Sequence, residues 1–469
     1  YDAVVGGRSV GVPGTVRMLE AAHRQHGKLA WAELFKPAIV LAEQGFAVSP
    51  RLNTLLKNEQ HLKTDPVAAA YFYDAAGNPR PVGHVLKNPE LAEVLKGIAA
   101  RGSAALLEGP VAQAIVDKVR KHPGNPGKLT LADLAGYAPK RRAPLCHDLR
   151  VPASGKAYEV CGFPPPSSGA IAVGQILGIL AHTPAASMPL GADGLPTADW
   201  LHYYMEASRL AFADRALYVA DPDFVQPPAG SWMSLLEPAY LKSRAALIGA
   251  QSLKVAQPGQ PGAVKTSLAP MADQPEYGTS HISIVDAFGN ALAMTTTIED
   301  QFGARQMVKG FLLNNELTDF SFAPTDAQGA PIANRVQPGK RPRSSMAPTL
   351  VFEKTADGRR GPLVMSAGSP GGALIIHYTA KTLHGVLGWG LLPQQAINLP
   401  NFGSLNGPSL LEEKKFPVAT VEALRTRGAE VREMNLTSGL QAITHTNVHG
   451  KPMWLGGADP RREGVVMGD

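Results

Sequence analysis

Apolar positions in the first half of the chain recur at helical spacing. Leu91, Val94, Leu95 and Ile98 fall at i, i+3, i+4 and i+7, and Val111, Ile115 and Val119 at i, i+4 and i+8. Each run predicts a helix with one stripe turned to a core. Residues 168–182 and 197–219 predict two more, each closed by turn or breaker residues. The Pro- and Gly-rich stretch VAQPGQPGAVKTSLAPMADQPEYG, at about 255–278, interrupts this pattern and reads as a linker. Beyond it the period changes to two. Strands are predicted over 279–286, 291–298, 348–353 and 362–367, and a helix from 373 to about 387, with an Asn-rich loop near 314. Helices followed by strands predict layered sheets covered by helices. The pattern fits two separate domains, 1–278 and 279–469, and equally two parts of one fold.

The predicted hairpin at 279–298 carries unexpected hydroxyls. Period two places Ala291, Ala293, Thr295 and Thr297 on one face of its second strand, with Leu292, Met294, Thr296 and Ile298 on the other. Its first residue, Thr279, follows Gly278 at the end of the linker. A threonine hydroxyl is a weak nucleophile unless a base lies beside it, and the residue's own α-amine is such a base once the chain is cut after Gly278. An α-amine titrates near 7.7–8.0, close to working pH. The plainer reading of Thr279 is a β-branched residue opening a strand.

Three other segments offer complementary chemistry. MSAGSPGG at 365–372 is a strand entering a tight turn and then a helix, where the N–H groups of Gly371 and Gly372 are candidates to meet a developing oxyanion. FLLNNELTDFSF places Glu316 and Asp319 three apart, and PRSSMAPT supplies the hydroxyl pair Ser344 and Ser345. Taken singly, each is an ordinary turn, cap or loop.

Composition narrows the classes. The 469 residues are 44% hydrophobic and 18% charged, enough to bury a large core. The net charge of +6 is spread too thinly to predict nucleic-acid binding, and KRPR at 340–343 reads as an ordinary loop. No apolar run reaches the roughly 18–20 residues of a membrane helix, and no basic-then-apolar leader is visible after Tyr1. The chain has no HExxH, CxxC, P-loop, GxSxG or GxGxxG motif, so neither a metal nor another cofactor is expected. His377 and His384 read as packing positions on one helix. Cys146 and Cys161 lie in short strand-like pieces joined by a turn-prone stretch; a disulfide and two buried thiols both fit.

Together these segments resemble the γ-glutamyltransferase family of N-terminal-nucleophile hydrolases. GTSHISIVDAFGNALAMTTT resembles the start of that family's small subunit, FLLNNELTDFS its substrate-amine segment, KRPRSSMAPT its carboxylate segment and SAGSPGG its oxyanion turn. SVGVPGTV, FKPAIVLAEQGF and FPPPSSG are similar to large-subunit motifs, so the resemblance covers nearly the whole chain. It implies a four-layer αββα sandwich (α/β) built from a large subunit, 1–278, and a small one, 279–469, which partner each other after self-cleavage between Gly278 and Thr279. Thr279 is then the nucleophile and Thr297 its hydroxyl partner. Glu316 and Asp319 hold the substrate α-ammonium, Ser344 and Ser345 its α-carboxylate, and Gly371 and Gly372 the oxyanion.

The implied reaction passes a γ-glutamyl group from a glutathione-like donor through a threonine ester to water, an amino acid or a peptide, in a periplasmic or secreted setting. The alternatives are a glutaryl or β-lactam side-chain acylase of the same fold, and an unprocessed, non-enzymatic homologue. Three departures from the family pattern stand out. Its carboxylate-binding arginine, expected upstream of SVGVPGTV, has no match in this sequence, so either the sequence is incomplete or the carboxylate site is weakened. Glu299 replaces a common asparagine and adds an acid near the ammonium site. The lid-like segment from Phe320 to Lys340 lacks tyrosine.

Overall fold

A computed structural model describes residues 4–262, 267–272, 274 and 278–468. It divides into two compact units, one of residues 1–141 with 297–318, the other of 142–296 with 319–469. None of the three breaks between them falls at residue 278.

The smaller unit is helical. α1 (Pro89–Arg101) and α2 (Gly109–Arg120) carry the predicted stripes, and Val94, Ile98, Ile115 and Val119 are buried in one cluster with Val10, Ala304 and Leu313. Proline in the first turn starts both helices, where the missing N–H has no intrahelical partner to lose. In α1 the Asn88 side chain also caps the N–H of Leu91.

The larger unit is layered. Its main sheet is antiparallel throughout and uses β1 (Leu145–Arg150), β2 (Ala157–Gly162), β5 (Thr349–Lys354), β6 (Arg360–Gly368), β7 (Gln441–Val448) and β8 (Lys451–Ala458), in the order β8-β7-β6-β5-β2-β1. α3 (Gly169–Ala181), α4 (Ala198–Tyr218) and α5 (Ile375–Leu387) cover one face, sharing a core with Met365 and Ala367 of β6. The other face receives a separate hairpin, β3 (Ser280–Val285) with β4 (Ala291–Thr296), which lies on β6 and β7. Period two explains the division. Met365 and Ala367 point to the helices, whereas Ser366 and Gly368 meet the hairpin.

Two details go beyond the sequence pattern. The hairpin is covered on one face only: Ile282, Ile284 and Leu292 are exposed, while the small Ala and Thr side chains let the opposite face lie close to the sheet. The described part of the stretch read as a linker has no helix, yet it is pinned. Ala256, Ala269 and Met271 are buried, Ala269 bridges Ile332, and the Met271 N–H bonds to the Ala216 carbonyl. Residues 263–266, 273 and 275–277 of that stretch lie outside the described residues.

Burial holds several histidines neutral. It pushes His147, His281 and His384 down to about 4 and His377 to about 3. A histidine with a folded pKa below its ordinary 6.5 contributes its full stability above pH 6.5, and loses it as pH falls toward 4. Among the described residues neither ring nitrogen of His147 has a hydrogen-bond partner. His147→Leu is therefore expected to flatten part of the acid loss and to stabilise the fold at pH 5 by about 1 kcal/mol or more. Urea unfolding at pH 5 and pH 7.5 checks this; an unchanged difference between the two pH values would overturn it.

Candidate active site

The hairpin presents Thr279 immediately before β3. Gly278 has φ 65° and Thr279 φ 122°. Among the described non-glycine residues with positive φ, Thr279 is the β-branched one, and such a conformation typically stores about 1–3 kcal/mol. The register pairs Ser280 with Thr296 and His281 with Thr295. Thr297, the predicted hydroxyl partner, follows the last residue of β4 directly.

His281 lies two residues beyond Thr279, under the hairpin. Its Nδ1 is 2.8 Å from Thr295 Oγ1 and its Nε2 3.1 Å from Ser283 Oγ. The Ser366 hydroxyl is 3.1 Å from Ser283 Oγ and 3.0 Å from the Leu292 carbonyl. A neutral imidazole has one donor and one acceptor, and hydroxyls on both sides satisfy either tautomer. The ring presses on β6 so closely that a Cβ at Gly368 would lie 2.3 Å from it.

From Gly368 the chain enters the predicted oxyanion turn. Gly371 and Gly372 have φ 143° and 59°, and a Cβ on Gly371 would stand 2.5 Å from the Tyr378 ring, so glycine is required there by both backbone and space. The Ser369 hydroxyl accepts the Gly439 N–H and buttresses the turn.

The Ser344–Ser345 segment is bolted to the FPPPSSG loop. The N–H and hydroxyl of Ser168 both donate to the Ser344 carbonyl at 2.8 Å, and the Ser167 hydroxyl donates to the Met346 carbonyl at 2.6 Å. Arg215 of α4 donates from Nε to Ser168 Oγ at 2.8 Å and from Nη2 to Ser345 Oγ at 2.6 Å. Buried Asn334 bonds the Asp319 carbonyl through Nδ2 at 2.7 Å and accepts the Arg343 N–H at 2.9 Å, tying Asp319 to the residue before Ser344. The tyrosine-free segment is held by bridges from Ser321 to Arg335 and from Thr325 to Pro331.

In the smaller unit Thr297, Glu299 and Glu316 come together around the Asn-rich loop. Thr297 Oγ1 accepts the Glu299 N–H at 2.7 Å, and Glu299, buried and at φ 74°, takes a short hydrogen bond from Asn315 Nδ2. Asn315 Oδ1 accepts the Asp300 N–H. Asn314 bonds both backbone groups of Gly11, in the SVGVPGTV motif, and accepts the Glu316 N–H. Burial, then the charge of Glu299, pushes the Glu316 carboxyl up to about 8. Glu316 and Asp319 begin and end one turn of 3-10 helix.

His281, Arg215, Ser168, Asn315 and Asn334 were not singled out from the sequence. His281 had a usable signal, sharing the face of Thr279 by period two. Arg215 had a weaker one, a charge inside the apolar helix LAFADRALY.

Cys146 and Cys161 stand opposite one another on β1 and β2 and form a disulfide with S–S 2.06 Å, so of the two readings the disulfide is the one observed. No helix among the described residues is long and apolar enough to cross a membrane.

A main sheet covered by helices on one face, with a hairpin led by Thr279 on the other, places the chain among α/β sandwich hydrolases of the N-terminal-nucleophile kind. A solved structure, the cephalosporin acylase from Bacillus halodurans, matches 100% of this chain and 80% of its own with TM-score 0.80 and 25% identity. The family model described as gamma-glutamyltranspeptidase matches residues 1–469. The chain belongs to that family and is an enzyme of its class. Among relatives, the glutathione hydrolase proenzyme of Pseudomonas sp. strain A14 is 32% identical over 99% of this chain and 78% of the relative. The acylase ACY 1 proenzyme of Pseudomonas sp. strain V22 is 33% identical over 94% and 72%.

Proposed function

We propose that the chain is a γ-glutamyl transferase and hydrolase that makes its own nucleophile. The observation that carries this reading is the junction itself: a β-branched residue at φ 122° after a positive-φ glycine, at the head of the hairpin. In the precursor the Thr279 hydroxyl attacks the Gly278 carbonyl, the peptide nitrogen leaves as the Thr279 amine, and water hydrolyses the resulting ester. The cut gives a large part, 1–278, and a small part, 279–469. The new amine then serves as general base for the same hydroxyl.

The mature threonine attacks the γ-amide carbonyl of a glutathione-like donor. Gly371 and Gly372 N–H groups stabilise the tetrahedral oxyanion, the amine leaves with a proton, and a γ-glutamyl ester remains on Thr279. Water, an amino acid or a peptide takes the acyl group. Thr297 orients the nucleophile, Ser344 and Ser345 receive the donor's α-carboxylate, and Glu316, Asp319 and Glu299 receive its ammonium. The Cys146–Cys161 disulfide supports an oxidising, periplasmic or secreted setting.

Mass under denaturing conditions tests the first step: the purified 49.5 kDa chain is expected to appear as two fragments cut before Thr279. An intact chain that still turns over donor would overturn it. The likeness to a cephalosporin acylase favours one second reading, an acylase taking glutaryl or related side-chain amides.

A further inference from the structure

We propose that Arg215 is a positioning residue for donor recognition, supplying positive charge to the α-carboxylate site through Ser345. The inference rests on the assignment of Ser344 and Ser345 to that carboxylate. Arg215 is 6% exposed, so it reaches an anion through its partners rather than by contact. One guanidinium organises both serines. Nη2 donates to Ser345 Oγ at 2.6 Å, while Nε donates to Ser168 Oγ, and Ser168 in turn fixes the Ser344 carbonyl by two bonds of 2.8 Å. The guanidinium carbon stands 5.2 Å from the centre of the Phe212 ring, and Arg343 Nη1 donates to the Arg215 carbonyl, so neither end of the arginine swings freely.

The consequence is chemical as well as steric. A serine hydroxyl has one donor and two lone pairs. When a lone pair accepts from a cation, the O–H becomes a stronger donor, and the field of the cation extends one bond outward. A carboxylate bound by Ser345 thus meets a hydroxyl already polarised in its favour, with a fixed charge behind it. Lysine cannot reproduce this, because one ammonium lacks the planar fork that reaches Ser168 and Ser345 together.

The test compares two anilide donors, γ-glutamyl and 4-aminobutyryl, the second lacking only the α-carboxylate. Arg215→Lys is expected to raise KM for the γ-glutamyl donor about tenfold, the scale of a lost hydrogen bond to a charged group, with little change in kcat. The 4-aminobutyryl donor is expected to lose less than about threefold, because it never used the arm. In Arg215→Lys/Ser345→Ala the loss is expected to fall well short of the product of the two single losses, since Arg215 acts mainly through the Ser345 hydroxyl. Equal losses on the two donors, or additive losses in the double variant, would reduce Arg215 to a packing residue and overturn the proposal. If Ser345→Ala leaves KM for the γ-glutamyl donor unchanged, the carboxylate assignment itself fails, an outcome distinct from the first. Should Arg215→Lys not fold, Ser168→Ala decides: it removes one anchor of the guanidinium and is expected to give a smaller loss confined to the γ-glutamyl donor, and a loss shared by both donors overturns the proposal.

Discussion

Thr279→Ala is expected to remain a single chain of about 49.5 kDa and to lose γ-glutamyl turnover by about 10⁴-fold or more. In the proposed mechanism both losses have one cause, because the hydroxyl that opens the Gly278–Thr279 bond is the hydroxyl that later carries the acyl group. Alanine removes it while keeping the backbone position. The φ of 122° is also less costly for alanine than for a β-branched side chain, so the variant is expected to fold at least as well as the parent. Thr279→Ser keeps a hydroxyl and is expected to be cut and active, more slowly. Denaturing mass spectrometry with an anilide assay reads both effects. Two fragments from Thr279→Ala, cut at the same bond, would show that an outside protease does the work and would end the autocatalytic reading.

Periodicity made much of this arrangement legible. The strands observed at 280–285, 291–296, 349–354 and 360–368 lie within two residues of those predicted at each end, because each alternates between a core face and an open or hairpin face. The helix predicted at 197–219 spans 198–218, started by the Thr197 side chain on the Trp200 N–H. Other features depend on contacts that no local pattern encodes. Arg215 and Ser345 are separated by 130 positions, and nothing in LAFADRALY says which hydroxyl its charge will meet. The 297–318 segment groups with the first 141 residues, although it continues a hairpin of the other unit without any change in composition. The conformation of Gly278 and Thr279 is likewise invisible, since a Gly-Thr pair is compatible with an extended start to a strand as readily as with the positive φ values observed.

Glutaryl and γ-glutamyl anilides separate the two enzymatic readings, and the ionisation of Glu316 makes the separation depend on pH. The donors differ at the α-carbon, where both carry a carboxylate and only the γ-glutamyl group carries an ammonium. In the proposed site the ammonium of a γ-glutamyl donor gives the Glu316 and Glu299 carboxylates a cation. A glutaryl donor leaves them without it, and removing one partner of a buried charge pair commonly costs about 3–5 kcal/mol. Protonation softens that cost. Glu316 is pushed up to about 8 by burial and by Glu299, so well below pH 8 it is largely neutral and tolerates an apolar α-carbon, whereas above pH 8 it is ionised and requires the cation. The preference for γ-glutamyl over glutaryl in kcat/KM is therefore expected to be at least about thirtyfold, or about 2 kcal/mol, near pH 8.5, and to shrink as pH falls toward 6. Glu316→Gln removes the titrating carboxyl while keeping its shape, and is expected to flatten the pH dependence and to lower the preference mainly by harming the γ-glutamyl donor. Asp319→Asn is expected to lower the preference in the same way, and the pH dependence set by Glu316 is expected to remain. Matched anilides assayed from pH 6 to 8.5 decide the matter: equal kcat/KM values, or a glutaryl preference across that range, would assign the chain to the acylases of its fold.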